Sequence, residues 1–449
     1  MSVELLTPLD LAFWHLESTD HPMHLGALAH FGPAPGDPAG IPGLLAHRAA
    51  AIPRLRMRVR DVWLPVGGAA WAADDAFDVA RHVREIGLSG TDFGTETARL
   101  AGELMERPLE RGRPPWEMYL LTGAPDGSFA VLVKLHHALA DGMRAVAIGA
   151  GIFDEIATVA RGRATPRRPV RAAPPRSWLP GPAGLVGAAR DRIEDLGRAV
   201  DVGASVVRAS RLDARGTAAL AAFSSGTRRV STATLELERI QRIRRGAGGT
   251  SNDVLLALVS GALRRWFHAR GDASPGADPR ALVPVSRRRP GGPATSGNSL
   301  SAYLVDLPVT EADPSLRLAS VRRAMDRNKA AGPLRGAGAV AVLADRLPPL
   351  AHRFGAPIAS GAARLLFDLL VTQVPLPRTA LSLGGAPLRA LFPMAPLARG
   401  QSLAVAMSPY GGRVHVGLVA DGEAVPDLDA LAVSLADELE LLDPSGEGR

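Results

Sequence analysis

Phe129-Ala-Val-Leu-Val-Lys-Leu-His-His-Ala-Leu-Ala-Asp-Gly142 is the stretch on which the reading of this 449-residue chain turns. A buried-type strand over 129–137 ends in two adjacent histidines, and a short turn leads to an Asp-Gly that opens a helix. Neighbouring residues of a strand point to opposite faces, so His136 and His137 cannot both face one cavity while the strand persists. One is a candidate base and the other a packing or hydrogen-bonding residue. A neutral imidazole, with an unperturbed pKa of ~6.5, accepts a hydroxyl or amine proton near neutral pH. Asp141, near a helix start, can cap that helix or orient a partner. Gly142 lets the backbone pass close to a ligand. As a bare pattern, a histidine pair near an aspartate is more often structural than catalytic.

Outward from this stretch, strand and helix patterns alternate. His24–Phe31, Arg56–Pro65 and Trp116–Thr122 read as strands, and Thr95–Glu106 and Met143–Val159 as helices. Composition then shifts to Pro and Arg over 161–182, an extended linker, followed by an amphipathic helix with Val186, Ile193, Leu196, Val200 and Val207 on one face. Beyond it, Thr232–Glu238, Ala281–Ser286 and Ser299–Leu307 read as strands. Asn252–Ala269, Pro314–Ala330 and Pro357–Leu370 read as helices, with Ser251 or Asn252 placed to cap the first. Leu403–Ser408 and Val414–Ala420 flank a Gly-Gly hairpin turn, and an amphipathic helix closes the pattern at Leu428–Leu442. The expectation is an α/β protein with two mixed α/β domains, 1–160 and 231–449, joined by a basic linker and helix over 161–230.

Charge narrows the partners. The formal net charge is +7, and 50 of the 52 basic residues are arginine. Residues 161–230 carry a net +9, which leaves −2 for the rest of the chain. The aromatic residues are not interleaved with that basic cluster and no nucleic-acid module signature occurs, so nucleic acid is not the expected partner. The bland reading of the basic helix is a solvated surface, and the sharper one an anchor on an anionic membrane. Cysteine is absent, which excludes disulfides, thiolate metal sites and a Cys nucleophile. No secretion-signal pattern is visible at the N-terminus, and the apolar run Val254–Leu263 is about half the ~20 residues a membrane span needs. A cytoplasmic protein is expected, with peripheral contact on the inner membrane face or lipid inclusions.

HHALADG resembles the HHxxxDG signature of the acyl-CoA-dependent acyltransferase superfamily, which also contains the condensation domains of peptide synthetases. The flanking segments resemble more closely the bacterial wax ester synthase/diacylglycerol acyltransferases. LTPLDLAFWHLES with PMHLGALAHF is similar to that family's opening, RPPWEMYLLTG to its PLWE segment, SNDVLLALVSGALRRW to its ND helix and LVPVSRR…GNSLSAYLVDLP to its PVS and GN segments. SPYGGRVHVGLVADGEAVPD is similar to its C-terminal hairpin and last helix. The matches keep the family's order over nearly the whole chain.

The resemblance implies a fold of two acyltransferase domains with an active-site channel between them. It implies an O-acyltransferase that moves a fatty acyl group from acyl-CoA to a hydrophobic alcohol, diacylglycerol or a fatty alcohol. His137 would be the general base, with His136 beside it, and Asp141 and Gly142 would hold the motif's geometry. Acyl-CoA would be a co-substrate, with no cofactor and no metal. Asn252 is a candidate oxyanion donor, although helix capping is at least as good a reading, and Asp253 is read as structural. Two departures bear on acceptor choice: Thr372-Gln-Val-Pro-Leu-Pro377 stands where the family often has a Ser-Asn-Val-Pro-Gly-Pro-like segment, and Pro115 stands where it has Leu. Two other readings stay open: acylation of a polyketide or peptide intermediate, and a non-catalytic protein that binds lipid surfaces.

The remaining features are bland. His15, His21, His24 and His30 read as core or surface histidines because no Cys or acid pair completes a zinc pattern. Arg287, Arg288 and Arg289 read as a solvated loop, with contact to CoA phosphates as the alternative. No G-x-S-x-G elbow occurs.

Overall fold

The computed structural model describes residues 4–36, 40–63, 66–140, 145–146, 148–149, 151–155, 220, 224–271, 278–286, 300–331, 353 and 366–443. Near the N-terminus, β1 (Glu4–Leu5), β3 (Met57–Asp61) and β4 (Ala69–Ala73) form a small antiparallel sheet in the order β1-β4-β3. A six-stranded sheet follows, built from β2 (His24–Phe31), β5 (Val83–Gly87), β6 (Trp116–Thr122) and β7 (Phe129–His136). Two strands from far along the chain complete it, β12 (Ser382–Leu383) and β13 (Ala386–Met394), in the order β12-β13-β2-β7-β6-β5. The second six-stranded sheet contains β8 (Arg228–Glu236), β9 (Arg280–Ser286), β10 (Leu300–Asp306), β11 (Leu369–Gln373), β14 (Leu403–Tyr410) and β15 (Arg413–Asp421). Its order is β10-β9-β11-β14-β15-β8.

The helices are α1 (Pro8–Leu16), α2 (Ile41–Ala51), α3 (Phe93–Glu106), α4 (Leu237–Ala247), α5 (Ser251–Ala269), α6 (Pro314–Ala331) and α7 (Leu428–Leu442) among the described residues. The mixed α/β class expected from the alternation is what the chain adopts. Most elements sit where the periodicity puts them, within one to four residues. Two differ. Leu369 and Leu370, read as the end of a helix over 357–370, begin strand β11, whose Leu-Leu-Val-Thr-Gln pairs in parallel with both β9 and β14. An apolar run buried between two strands carries no alternation that separates it from a helix. The expected helix over 143–159 is helical at 145, 146, 148 and 149 but interrupted by a turn over 151–153, at Gly151, with the rest of it in part outside the described residues; 357–365 and the linker and basic helix over 161–207 also lie outside them.

Side-chain alternation on β7 divides the core. Phe129, Val131 and Leu135 join Trp116, Met118 and Leu45 on one face of the first sheet. Ala130 and Leu132 face the other way, into a cluster shared by the two sheets: Leu28, Leu104, Phe392, Ala404 and Val419. A third cluster packs α5 and α7 on the second sheet through Val254, Leu258, Trp266, Val405, Val416 and Leu435.

Two glycines let the halves meet this closely. A Cβ at Gly417 on β15 would stand 2.0 Å from the carbonyl oxygen of Pro393 on β13. One at Gly102 on α3 would stand 2.6 Å from the carbonyl oxygen of Arg228 on β8. Both obstacles are backbone, which cannot swing aside. Gly417→Ala is therefore expected to destabilise the protein by about 2–4 kcal/mol. Gly43→Ala in α2, where nothing lies within 4 Å, should be neutral or slightly stabilising. Denaturant midpoints of the two variants check this, and equal midpoints would mean that the sheets do not abut at Gly417.

Candidate active site

The histidine pair stands where β7 stops. Strand geometry ends at His136, and His137 to Leu139 form a turn. The opposite-face constraint therefore ceases at His137, which is placed by the turn. The backbone N–H of His136 donates to Pro115 O at 3.0 Å, and that of His137 to Met23 O at 2.8 Å. Pro115, the departure in the Pro-Pro-Trp-Glu segment, keeps the carbonyl that this bond needs.

His136 is 1% exposed. Its Nδ1 accepts a hydrogen bond from the Ala138 backbone N–H at 2.9 Å. The lone pair of a neutral imidazole is thereby engaged at Nδ1, so the ring proton belongs on Nε2. Nε2 lies 3.4 Å from Glu17 Oε1. The same carboxylate oxygen lies 3.2 Å from Nε2 of His24, the residue directly across the β2–β7 ladder from His136. Oε2 of Glu17 is met by the Arg111 guanidinium at 3.3 Å. Glu17 thus closes α1 with a carboxylate shared by two buried imidazoles and one arginine.

Burial opposes charge on Glu17, but the two imidazoles facing it outweigh burial and hold its carboxyl far below the usual carboxylate range. Burial lowers His24 to about 4 despite Glu17, so its ring is neutral at neutral pH. Beneath them, the buried Lys134 donates from Nζ to Leu104 O at 2.8 Å and to Arg107 O. These carbonyls belong to the C-terminal end of α3, where a cation satisfies unpaired acceptors and complements the helix dipole. Burial lowers this ammonium to about 8.

His137 differs from its neighbour in every respect that matters for chemistry. Its side chain is partly exposed. Its ring stacks on Phe13 of α1, with centroids 3.8 Å apart and planes 20° apart. Trp14, next along α1, meets His136 edge-on at 5.0 Å and carries the Arg111 guanidinium over its ring at 4.6 Å. One helical turn therefore grips both histidines. Asp141 and Gly142 lie outside the described residues.

Asn252 and Asp253 sit in the first turn of α5. The expected cap at Ser251 or Asn252 is corrected here: Thr250 is the N-cap. Its hydroxyl accepts from Asp253 N at 3.3 Å, and the Asp253 carboxylate accepts from Thr250 N at 2.7 Å. Asp253 supports the helix. In the atypical segment after β11, Leu376 packs against the core of the first sheet. Sequence reasoning passed over Glu17, Phe13 and Trp14 as site residues, and over His24 as their buried partner. The one available signal was that all four fall within the two N-terminal segments that carry the family resemblance.

A family model described as the wax ester synthase/diacylglycerol acyltransferase catalytic domain matches residues 6–255, and a WS/DGAT C-terminal domain matches residues 296–443. A probable diacylglycerol O-acyltransferase of Mycobacterium tuberculosis (strain CDC 1551 / Oshkosh) is 32% identical over 461 residues, spanning 96% of this chain and 94% of its own. Among solved structures, a wax ester synthase/diacylglycerol acyltransferase from Marinobacter aquaeolei VT8 superposes with a TM-score of 0.70 at 23% identity, covering 98% of this chain and 99% of the other. The first condensation domain of the CDA synthetase superposes with a TM-score of 0.61 at 18% identity, covering 98% and 96%.

Removing the shared carboxylate by Glu17→Ala should cost about 2–4 kcal/mol in urea unfolding, because two buried rings and a guanidinium lose their common partner. A cost near zero would show that Glu17 does not organise the cluster. Burial also lowers His30 and His415 to about 4. Between that value and the unfolded pKa of ~6.5, the unfolded chain binds more protons. Stability is therefore fully present above about pH 6.5 and is lost as pH falls toward 4. His30→Leu should flatten that slope by up to about 1.4 kcal/mol per pH unit. An unchanged slope in pH-dependent urea titrations would refute this assignment.

Proposed function

Because the chain belongs to the wax ester synthase/diacylglycerol acyltransferase family, we propose that it transfers a fatty acyl group from acyl-CoA to the hydroxyl of a lipid alcohol, with His137 as general base. Diacylglycerol would give triacylglycerol, and a fatty alcohol a wax ester. The neutral His137 imidazole takes the hydroxyl proton as the oxygen attacks the thioester carbonyl. The new C–O bond forms, the C–S bond breaks, and the imidazolium returns its proton to the departing CoA sulfur. No covalent acyl-enzyme and no resident cofactor enter this scheme.

The observation that carries the assignment is the division of labour between the two histidines. His136 is buried, with Nδ1 occupied by Ala138 N–H and Nε2 turned to Glu17. His137 is partly exposed and braced by Phe13. A base needs a ring that a substrate can reach, and of the two only His137 is partly exposed. Asp141 and Gly142 would hold the turn that follows. With Thr250 as the cap of α5, Asn252 is not needed for that role, which favours it as a donor to the developing oxyanion.

The reading also brings a soluble thioester together with a water-insoluble acceptor. It thus places the enzyme in the cytoplasm with peripheral contact on the membrane or on lipid inclusions, and the net +9 of residues 161–230 supports attraction to anionic lipid. No helix among the described residues is long and apolar enough to cross a membrane.

Purified protein given acyl-CoA with diacylglycerol or a fatty alcohol should release free CoA and form the ester. His137→Ala should lower the rate by about 10²–10⁴-fold, the range a general base supplies. A variant that turns over as fast as the parent protein would sink the mechanism.

A further inference from the structure

Among the described residues, the large apolar side chains that stand exposed are not spread evenly. Leu5, Trp63 and Val66 belong to the small three-stranded sheet and its hairpin, and the others are Leu316, Val433 and Leu441 on α6 and α7. Trp63 is the extreme, at 90% exposed, with Val66 at 58%. Both lie between β3 and β4, in the sequence Val62-Trp-Leu-Pro-Val66. An indole left almost wholly in water is an unusual loss of burial for the largest apolar side chain.

We infer that Trp63 and Val66, the described residues at the tip between β3 and β4, dock the enzyme on an anionic phospholipid surface. This rests on the lipid-acceptor reading above and says where the surface meets the protein. Trp is the side chain suited to the boundary between headgroup and acyl chain, because its body is apolar and its N–H wants a polar partner. The charge next to the tip fits the same occupant. Arg60 is exposed and has no ion-pair partner among the described residues, while Asp61 takes the opposite face of β3, toward His15. The apolar residues on α7 have the wrong surroundings for such a surface, because Asp437 and Glu440 share that helix.

Position supplies the second argument. His15 Nε2 lies 3.2 Å from Gly67 O at the base of the hairpin, and Leu6 N donates to Ala69 O at 2.9 Å. His15 sits on α1 two residues beyond Phe13, which stacks on His137. The tip, α1 and the proposed base are thus joined by direct contacts. A lipid surface held at the tip brings a membrane-dissolved alcohol to the N-terminal side of the site.

Co-sedimentation of the full chain with phosphatidylcholine vesicles, with and without phosphatidylglycerol, tests this. The double variant Trp63→Ala/Val66→Ala should lower vesicle partitioning by about tenfold or more. Arg60→Gln should lower it about fivefold on anionic vesicles at low salt and little at high salt. CoA release with a short, water-soluble alcohol should match the parent in all these variants, while the rate with vesicle-dissolved diacylglycerol falls with binding. Unchanged partitioning of the double variant overturns the inference. So does a change of oligomeric state with vesicle binding intact, which would assign the tip to a second copy. If the parent binds vesicles through Trp63 yet releases no CoA with any alcohol, the docking surface stands and the catalytic reading fails.

Discussion

Strand β13 enters the first sheet from a point more than 350 residues along the chain and pairs with β2 from Gly26 to Phe31. Everything at the centre of the protein depends on that pairing. Phe392 and Met394 on β13 supply part of the core that the two sheets share, and Pro393 lies against Gly417 of the second sheet. The chain returns to the second sheet as β14 immediately afterward. The first sheet therefore cannot be completed without strands from the C-terminal half, and the core the two sheets share needs side chains from both. Long-range ladders of this kind are slow to form, since loop closure must precede any gain from pairing.

Within that frame, one carboxylate organises the candidate site. Glu17 ends α1 and faces His24 and His136, which the β2–β7 register sets opposite each other. Burying an isolated carboxylate is unfavourable, and here three nitrogen-bearing partners compensate it. The result is directional. His136 is held in one tautomer, its carbonyl and its Nδ1 shape the next turn, and His137 emerges at that turn against Phe13. The adjacent histidines look equivalent as letters, but one is buried and bound by the backbone N–H of Ala138, while the other is partly exposed against Phe13. Lys134 performs a comparable structural service below them by closing the end of α3.

Legibility in the sequence followed the physics of each signal. Alternating or continuous apolar runs located β2, β6, β7, β9, β10, β14 and β15 closely, and helical periodicity located α3, α5, α6 and α7. Strand β13 was passed over because Pro387 and Pro393 interrupt it. Pro393 stands opposite Ala27 of β2, while β12 on the other side reaches only Ala386 and Pro387. The end of the proposed helix over 357–370 turned out to be strand because a short apolar run fits either period. Thr250 was overlooked as a cap because Ser251 and Asn252 beside it are equally good capping residues by type.

By itself the sequence determined the α/β class, the family and the identity of the histidine pair, because each depends on local periodicity or on residues adjacent in the chain. It also excluded a cysteine nucleophile through the absence of cysteine. Only the tertiary structure decided which histidine is buried, that Glu17 joins it to His24, that Phe13 braces the other, and that β13 closes the first sheet. Those are relations between residues from 7 to more than 350 positions apart. Their energies arise from exclusion of water and from register between strands, and neither quantity exists until the chain has folded.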